Sequence, residues 1–271
     1  MSKVSAEAKS HYAEKLREYK ARIESLREIE KGLQAGLAGS DTPVAPAKLS
    51  LVDASLNLVS FFNTMNSLSV ALLGIRNEGY LNDARKLLYK GIILLEELVS
   101  NLVDAPFSDY EERLAELEEL GDEKRLGLIR KLGFAIDTIE EAFGDNSKWR
   151  WSFVEIEGRF ATVVKNLLNL KTLNQKLDPR HPSYRTVHEH LALAKRLLQQ
   201  AADRYREKYE LSTLRLDDIR QAIGFLAALR RLHIILAEAD EADVVRKKIE
   251  VWKHKMEEDQ RKSEAREAQK R

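Results

Sequence analysis

Residues 12–37, YAEKLREYKARIESLREIEKGLQAGL, carry an apolar side chain at every third or fourth position. Steps of this size place the apolar side chains along one stripe of an α-helix. Most of the other positions are charged, so the stripe is narrow, as in a helix that pairs with one neighbouring helix. The stripe consists of Tyr12, Leu16, Tyr19, Ile23, Leu26, Ile29, Leu33 and Leu37. We predict a helix that must cover this stripe on the body of the protein, on a second copy or on another protein.

The same helical period recurs along most of the chain. Only 12 of the 271 residues are Gly and only 5 are Pro, which is few for a protein built from many β-turns. No region alternates apolar and polar residues over several candidate strands. We therefore predict an all-α fold, either a multi-helix bundle or an array of helical hairpins, with about eight or nine helices and long charged helices at both ends. The predicted helices cover 5–37, 49–76, 82–102, 109–120, 123–143, a long segment between 147 and 178, 183–209, 216–236 and a last stretch from 240 onwards.

Glycine, proline and charge mark the predicted divisions of the chain. Residues 1–37 form the N-terminal amphipathic charged helix, and residues 38–48 (AGSDTPVAPAK) read as a linker. Residues 49–239 form a helical body, with a candidate subdivision at 144–147. Residues 240–271 form a charged C-terminal helix or tail.

The residue types needed for the common enzyme classes are absent. The chain has no Cys, which excludes disulfides, Cys-ligated metals and a Cys nucleophile. It has no GxSxG, GxGxxG or GxxxxGK[ST] motif and no Glu-x-x-His pair for a carboxylate-bridged metal. We predict a non-enzymatic protein with no catalytic, cofactor-binding or metal-ligating residues.

Charge is almost balanced, with 45 Lys and Arg against 44 Asp and Glu. This balance disfavours a protein that binds nucleic acid through its overall charge. The most unusual local composition is 148–153, KWRWSF, which contains Trp149, Arg150 and Trp151. Such a cluster can anchor a helix in the core, contact a protein partner, or bind a nucleic acid or lipid.

Residues 1–9 contain no apolar run, so we expect no secretory signal and a cytoplasmic protein. The most apolar stretch, 49–75, contains Asp53, three Asn and five Ser. A membrane-spanning helix needs about 20 predominantly apolar residues. We therefore predict a buried core helix and no transmembrane segment.

A short region resembles a known repeat. Residues 77–91 combine Asn77-Glu78-Gly79-Tyr80-Leu81 with Ala84, Leu88 and Gly91, which resembles the middle of a tetratricopeptide repeat. The resemblance implies that a Gly closes the first helix and that the small residues Ala84 and Gly91 let the second helix pack closely. The sequence departs from the repeat at Leu68 and Glu96, and no second copy follows at the expected period. The resemblance implies a helical hairpin with a protein-binding surface.

These observations favour a scaffold or structural subunit that binds other proteins or itself through helical surfaces and coiled-coil-like ends. Two alternatives remain open: a nucleic-acid-associated regulatory protein that uses 148–153, and a helical bundle that binds a small ligand near Asn57, Asn63 or Asn66. No cofactor is expected. The predicted partner-binding residues are Tyr12, Leu16, Tyr19, Ile23, Leu26, Trp149, Arg150, Trp151 and Trp252.

Overall fold

The structure is a computed structural model that describes residues 4–38, 44–145 and 147–270, and within these ranges no residue lies in a β-strand. The predicted all-α, multi-helix fold is confirmed. Short 3-10 turns cover Phe107–Asp109 and Glu118–Leu120, and a π-helical turn covers Tyr209–Thr213. The α-helices are α1 (Ala6–Ala38), α2 (Val44–Leu73), α3 (Glu78–Leu98), α4 (Glu111–Ala115), α5 (Gly121–Phe143), α6 (Arg150–Asn166), α7 (Leu173–Lys176), α8 (Tyr184–Lys208), α9 (Leu216–Ile235) and α10 (Ala239–Lys270).

The chain divides into two compact units. Unit 1 contains Met1–Val99 and Arg113–Ile156, and unit 2 contains Ser100–Glu112 and Glu157–Arg271. The division crosses α6, whereas the subdivision considered from the sequence lay at 144–147. Neither unit is one continuous stretch of chain.

Unit 1 is built on three consecutive antiparallel helices, α1, α2 and α3. The rings of Tyr19 in α1 and Phe61 in α2 lie 5.8 Å apart. Ile23 of α1 is only 5% exposed. Lys90 of α3 binds the carboxylate of Glu30 in α1. The apolar stripe of the N-terminal helix is therefore covered within unit 1 itself around Tyr19 and Ile23, whereas Ile29 stays exposed.

The boundary between α1 and α2 differs from the predicted linker at 38–48. Helix α2 begins at Val44, so the last five residues of that range are helical, and residues 39–43 lie outside the described part of the chain. Pro46 is the third residue of α2. Proline is tolerated in the first turn because the N–H groups there have no partner within the helix.

The turn between α2 and α3 leads into residues 77–91, the region that resembles a tetratricopeptide repeat. Helix α2 is followed by Gly74, which has a φ of +66°, while Gly79 lies in the first turn of α3. Asn77 caps α3 by accepting a hydrogen bond from the Tyr80 amide, so α3 begins at Glu78, earlier than the predicted start at Asn82. Gly91 is buried, and a Cβ there would lie 4.0 Å from Val52 Cγ1 in α2.

The single helix predicted over 109–120 is wrong. This stretch contains α4 between two 3-10 turns. The Ser108 hydroxyl donates to the carboxylate of Asp109, the next residue, and does not cap a longer helix. Arg125 of α5 donates to the Leu117 carbonyl (2.9 Å), which holds the chain in a turn just before α5.

The long helix predicted between 147 and 178 is also shorter in the structure. Helix α6 ends at Asn166, where the side-chain amide donates to the carbonyls of Ser100 and Leu102. Three residues later, the Asn169 side chain accepts hydrogen bonds from the amides of Lys171 and Thr172. Asparagine stabilises turns in this way, and its side-chain contacts replace the continued helix.

Unit 2 is built on α8, α9 and α10, which are also consecutive and antiparallel. Tyr205 of α8 stacks on Phe225 of α9 with ring centres 5.6 Å apart. The Tyr209 hydroxyl donates to Asp259 of α10 (2.7 Å). The described part of the charged C-terminal stretch therefore forms a helix, α10, that packs on the other helices of unit 2.

Glu238, just before α10, connects three segments of unit 2. Its carboxylate accepts hydrogen bonds from Lys195 of α8 (2.6 and 2.7 Å) and lies 2.6 Å from Nδ1 of His233 in α9. Burial alone would raise the pKa of Glu238, but the hydrogen bonds and charges of Lys195 and His233 outweigh it and lower the pKa below its ordinary value. The ionised carboxylate therefore stabilises the folded state.

Replacing Glu238 by Gln should reduce the free energy of unfolding by about 1 kcal/mol at neutral pH, because the site is partly exposed and screened. Since the folded pKa is lowered, the contribution of Glu238 is present above its unfolded pKa and lost as pH falls through the folded pKa. Urea unfolding of both proteins between about pH 6 and pH 3 measures the difference. A difference that stays constant over this range would contradict the ionic role of Glu238.

Among the described residues, only α2 has the length and composition of a membrane-spanning helix. Its most apolar segment has a mean hydropathy of 1.3, and 39% of that segment is buried in the protein. One helix of this kind is weak support for a membrane span, because the core helices of soluble proteins have the same character. The absence of a transmembrane segment stays a prediction.

Candidate partner-binding groove

An apolar groove opens on unit 1 between α1, α2 and α5. Its volume is about 660 Å³, and it is broadly open to solvent. Ile29 of α1 is 53% exposed beside it, although it belongs to the apolar stripe of its helix. The groove therefore includes part of the stripe, and it is not filled by any described side chain. Its lining residues are Leu26, Ile29, Leu33, Leu49, Ser50, Asp53, Ala54, Asn57, Leu120 and Leu128.

A polar cluster occupies one end of the groove. Lys131 of α5 donates to the carboxylate of Asp53 (2.5 Å) and to the side-chain oxygen of Asn57 (2.8 Å) in α2. The Asn57 amide in turn donates to Asp53 (3.2 Å). These polar groups satisfy one another, so the remaining wall of the groove presents mainly aliphatic side chains.

An exposed glycine interrupts the groove-lining part of α1 in sequence, although it does not line the groove itself. Gly32 stands between the lining residues Ile29 and Leu33, and a Cβ placed on it would meet no atom within 4 Å. Glycine within a helix costs about 1 kcal/mol relative to alanine. No neighbour in the described part of the chain requires a small side chain at this position.

The five partner-binding residues predicted in α1 have different positions. Ile23 is buried, and Tyr19 contacts Phe61. Tyr12 hydrogen-bonds Tyr80; burial of Tyr80, assisted by this contact, raises the Tyr80 pKa. Leu16 is half-buried, while Leu26 lines the groove. Of these residues, Leu26 is the one that the structure brings into the groove.

The predicted aromatic cluster at the start of α6 is covered by cations of unit 1. The guanidinium carbon of Arg85 lies 3.9 Å from the centre of the Trp149 ring, and Arg85 also donates to the Ser152 hydroxyl (3.1 Å). The guanidinium carbon of Arg150 lies 4.8 Å from the Trp151 ring. A nucleic-acid base could stack on the covered face of Trp149 only after Arg85 had moved away.

Trp252, the third predicted tryptophan, is 4% exposed and belongs to the core of unit 2. Arg206 and Lys248 lie near its ring, with their charged groups 5.2 and 4.9 Å from the ring centre. The side chain holds α10 on α8 and leaves little surface for a partner.

Sequence reasoning missed a buried polar cluster in unit 2. Lys165 of α6 is 1% exposed, and its amine lies 3.4 Å from both the Ala105 carbonyl and the Tyr110 hydroxyl. Burial lowers the pKa of Lys165 to about 8, against the opposing effect of Asp104, and burial raises the pKa of Tyr110. Asp104 is itself paired with Arg231 (2.9 Å). The cluster fixes Ser100–Glu112 to the rest of unit 2. The amine of Lys165 has no access to solvent.

Fold and groove together define an all-α protein with an open, helix-lined apolar surface. The family model described as the TP0443 family matches residues 8–260. The chain belongs to the TP0443 family. Neither the curated proteins nor the solved structures include a match to the chain.

Proposed function

We propose that this protein is a non-enzymatic interaction subunit that binds a helix of another protein in the groove of unit 1. The observation that carries the proposal is the position of Ile29, an aliphatic residue of the helix stripe that remains half exposed beside an unfilled apolar groove. Burying aliphatic surface is worth about 25 cal/mol per Å², so such a groove gains free energy when an apolar side chain fills it.

The dimensions of the groove suit a short helix. Leu26 and Leu33 mark its extent on α1 and are seven residues apart, which corresponds to about 10.5 Å along a helix. Two turns of a partner helix cover this distance. Such a helix would present apolar residues at positions i, i+3 or i+4, and i+7, as in other helix-in-groove complexes.

The proposal places the interaction on the Leu26–Leu33 part of the α1 stripe and not on the part that packs within unit 1. Most of that stripe is used within unit 1, where Ile23 is buried and Tyr19 contacts α2. A coiled coil formed through the stripe would have to detach α1 from α2. Binding in the groove leaves these contacts intact.

The variant Ile29→Glu should weaken binding of a helical peptide about tenfold or more, because it places a charge against the apolar side of the ligand. The full chain would first be used to select ligands from a displayed library of helical peptides of about 16 residues. Binding of each selected peptide is then measured by fluorescence anisotropy with both proteins.

Val70→Glu is the matched control. Val70 is 48% exposed on α2, close to the exposure of Ile29, but does not line the groove. Its substitution should change the affinity by less than about twofold, and both variants should unfold at the wild-type temperature. The proposal is wrong if the library yields no ligand, or if the selected peptides bind Ile29→Glu as tightly as the wild type.

A further inference from the structure

An acidic segment borders the groove at the end opposite Lys131. Leu120 lines the groove; Glu119 precedes it, and Asp122 and Glu123 follow it after Gly121. Within 116–124 there are five carboxylates and one cation, the exposed Lys124. The acidic residues are Glu116, Glu118, Glu119, Asp122 and Glu123.

The nearby Arg125 is withdrawn from this surface. It is buried and donates to the Leu117 carbonyl, and its burial lowers the pKa of its guanidinium despite the charges of Asp122 and Glu118. By contrast, Glu116, Glu119 and Glu123 are exposed, and no described residue forms a hydrogen bond or ion pair with them. Their charges are free to act on a partner.

The other end of the groove has a different character. There Lys131 neutralises Asp53, and Arg22 lies one turn before Leu26 on α1. The surface around the groove is therefore acidic at the Leu120 end. At the Lys131 end, the carboxylate of Asp53 is already paired with Lys131. An occupant with uniform charge would not match both ends.

Resting on the function proposed above, we infer that the groove binds an amphipathic helix of another protein whose Lys or Arg residues lie beside Glu116, Glu119 and Glu123. Apolar residues at i, i+3 or i+4, and i+7 fill the groove, and the basic end of the helix fixes its direction.

Three results are expected from the peptide selection. The selected peptides should carry an excess of Lys and Arg at one end of the apolar repeat. The variant Glu116→Lys/Glu119→Lys/Glu123→Lys should weaken their binding about fivefold or more at low salt. This loss should shrink in about 0.5 M NaCl, because salt screens exposed charges beyond a few ångströms.

The control is Glu14→Lys/Glu24→Lys/Glu141→Lys, which reverses three exposed glutamates of unit 1 that lie outside the acidic segment 116–124. It makes the same change in net charge and should leave binding within about twofold of the wild type. A photo-crosslinker at the basic end of the peptide should label 116–123, as mapped by mass spectrometry.

The outcomes separate the two proposals. The inference is overturned, and the groove function is kept, if the selected peptides lose affinity with Ile29→Glu but fail any of three tests. They fail if they are neutral or acidic, if the triple reversal does not affect their binding, or if they crosslink at the Arg22 end. Peptides that ignore Ile29→Glu overturn both. If sedimentation shows that the chain alone dimerises and that Ile29→Glu abolishes this, the occupant is a second copy and the inference is wrong.

Discussion

Replacing Gly158 by Ala should lower the free energy of unfolding by about 3 kcal/mol, a large effect for one added methyl group. Gly158 lies in α6 where this helix meets α8 and α9. A Cβ on Gly158 would lie 2.6 Å from Cε2 of Tyr205 and 3.0 Å from Cζ of Phe225. Both rings are buried and stacked on each other, so neither can move aside without disturbing the packing of unit 2.

Gly127→Ala provides the comparison for Gly158→Ala. Gly127 is also within a helix, but a Cβ there would meet no atom within 4 Å. Its substitution should raise the free energy of unfolding by about 0.5–1 kcal/mol through helix propensity. Urea denaturation of the three proteins measures both changes. If the two substitutions have equal effects, the rings of Tyr205 and Phe225 leave room for a methyl group at Gly158.

The free energy of unfolding of the wild type should increase with pH relative to that of Lys165→Met. Between about pH 7 and pH 10 the difference should grow by about 2.5 kcal/mol. Burial lowers the pKa of Lys165 from 10.5 to about 8. Below the folded pKa, both states carry the proton, and the folded state bears the full cost of a buried charge. Between the two pKa values only the unfolded state binds the proton, so stability increases with pH. Urea unfolding at each pH measures the difference, and other titrating groups cancel in it.

Lys171→Met should show almost no trend over the same range, because the contribution of Lys171 is lost only above about pH 10. Lys171 is exposed and hydrogen-bonds Glu111, which raises the pKa of its amine. A raised folded pKa gives a contribution that is lost as pH rises through it. The result for Lys165→Met also has a contradicting outcome. If its difference in free energy of unfolding from the wild type does not change with pH, the amine of Lys165 is hydrated in the folded state.

Local periodicity was enough to predict most helices but not their interruptions. The helix predicted at 183–209 is observed at Tyr184–Lys208, because its apolar stripe and the two prolines just before it, Pro179 and Pro182, are both local signals. The end of α6 at Asn166 depends on Ser100 and Leu102, which are distant in sequence. Periodicity continues past this point, so sequence reasoning extended the helix too far. Asn169 was the available local signal.

The candidate groove was predictable only in part. Leu26, Ile29 and Leu33 belong to the stripe identified from the sequence. Leu49, Leu120 and Leu128 come from two other helices and the turn before α5, so no spacing rule connects them to α1. The cluster around Lys165 was missed for a related reason, since a lysine in a helix that also carries Glu155, Glu157 and Arg159 gives no sign that it is buried.

The division of the chain has a consequence for the order of synthesis. Ser100–Glu112 belongs to unit 2, although the residues on both sides of it belong to unit 1. Unit 1 cannot be completed until Ile156 has left the ribosome, and Ser100–Glu112 must wait for the helices that follow Glu157 before its own contacts exist. No single cut of the chain yields two intact halves, so truncated products present unfinished cores to chaperones and proteases.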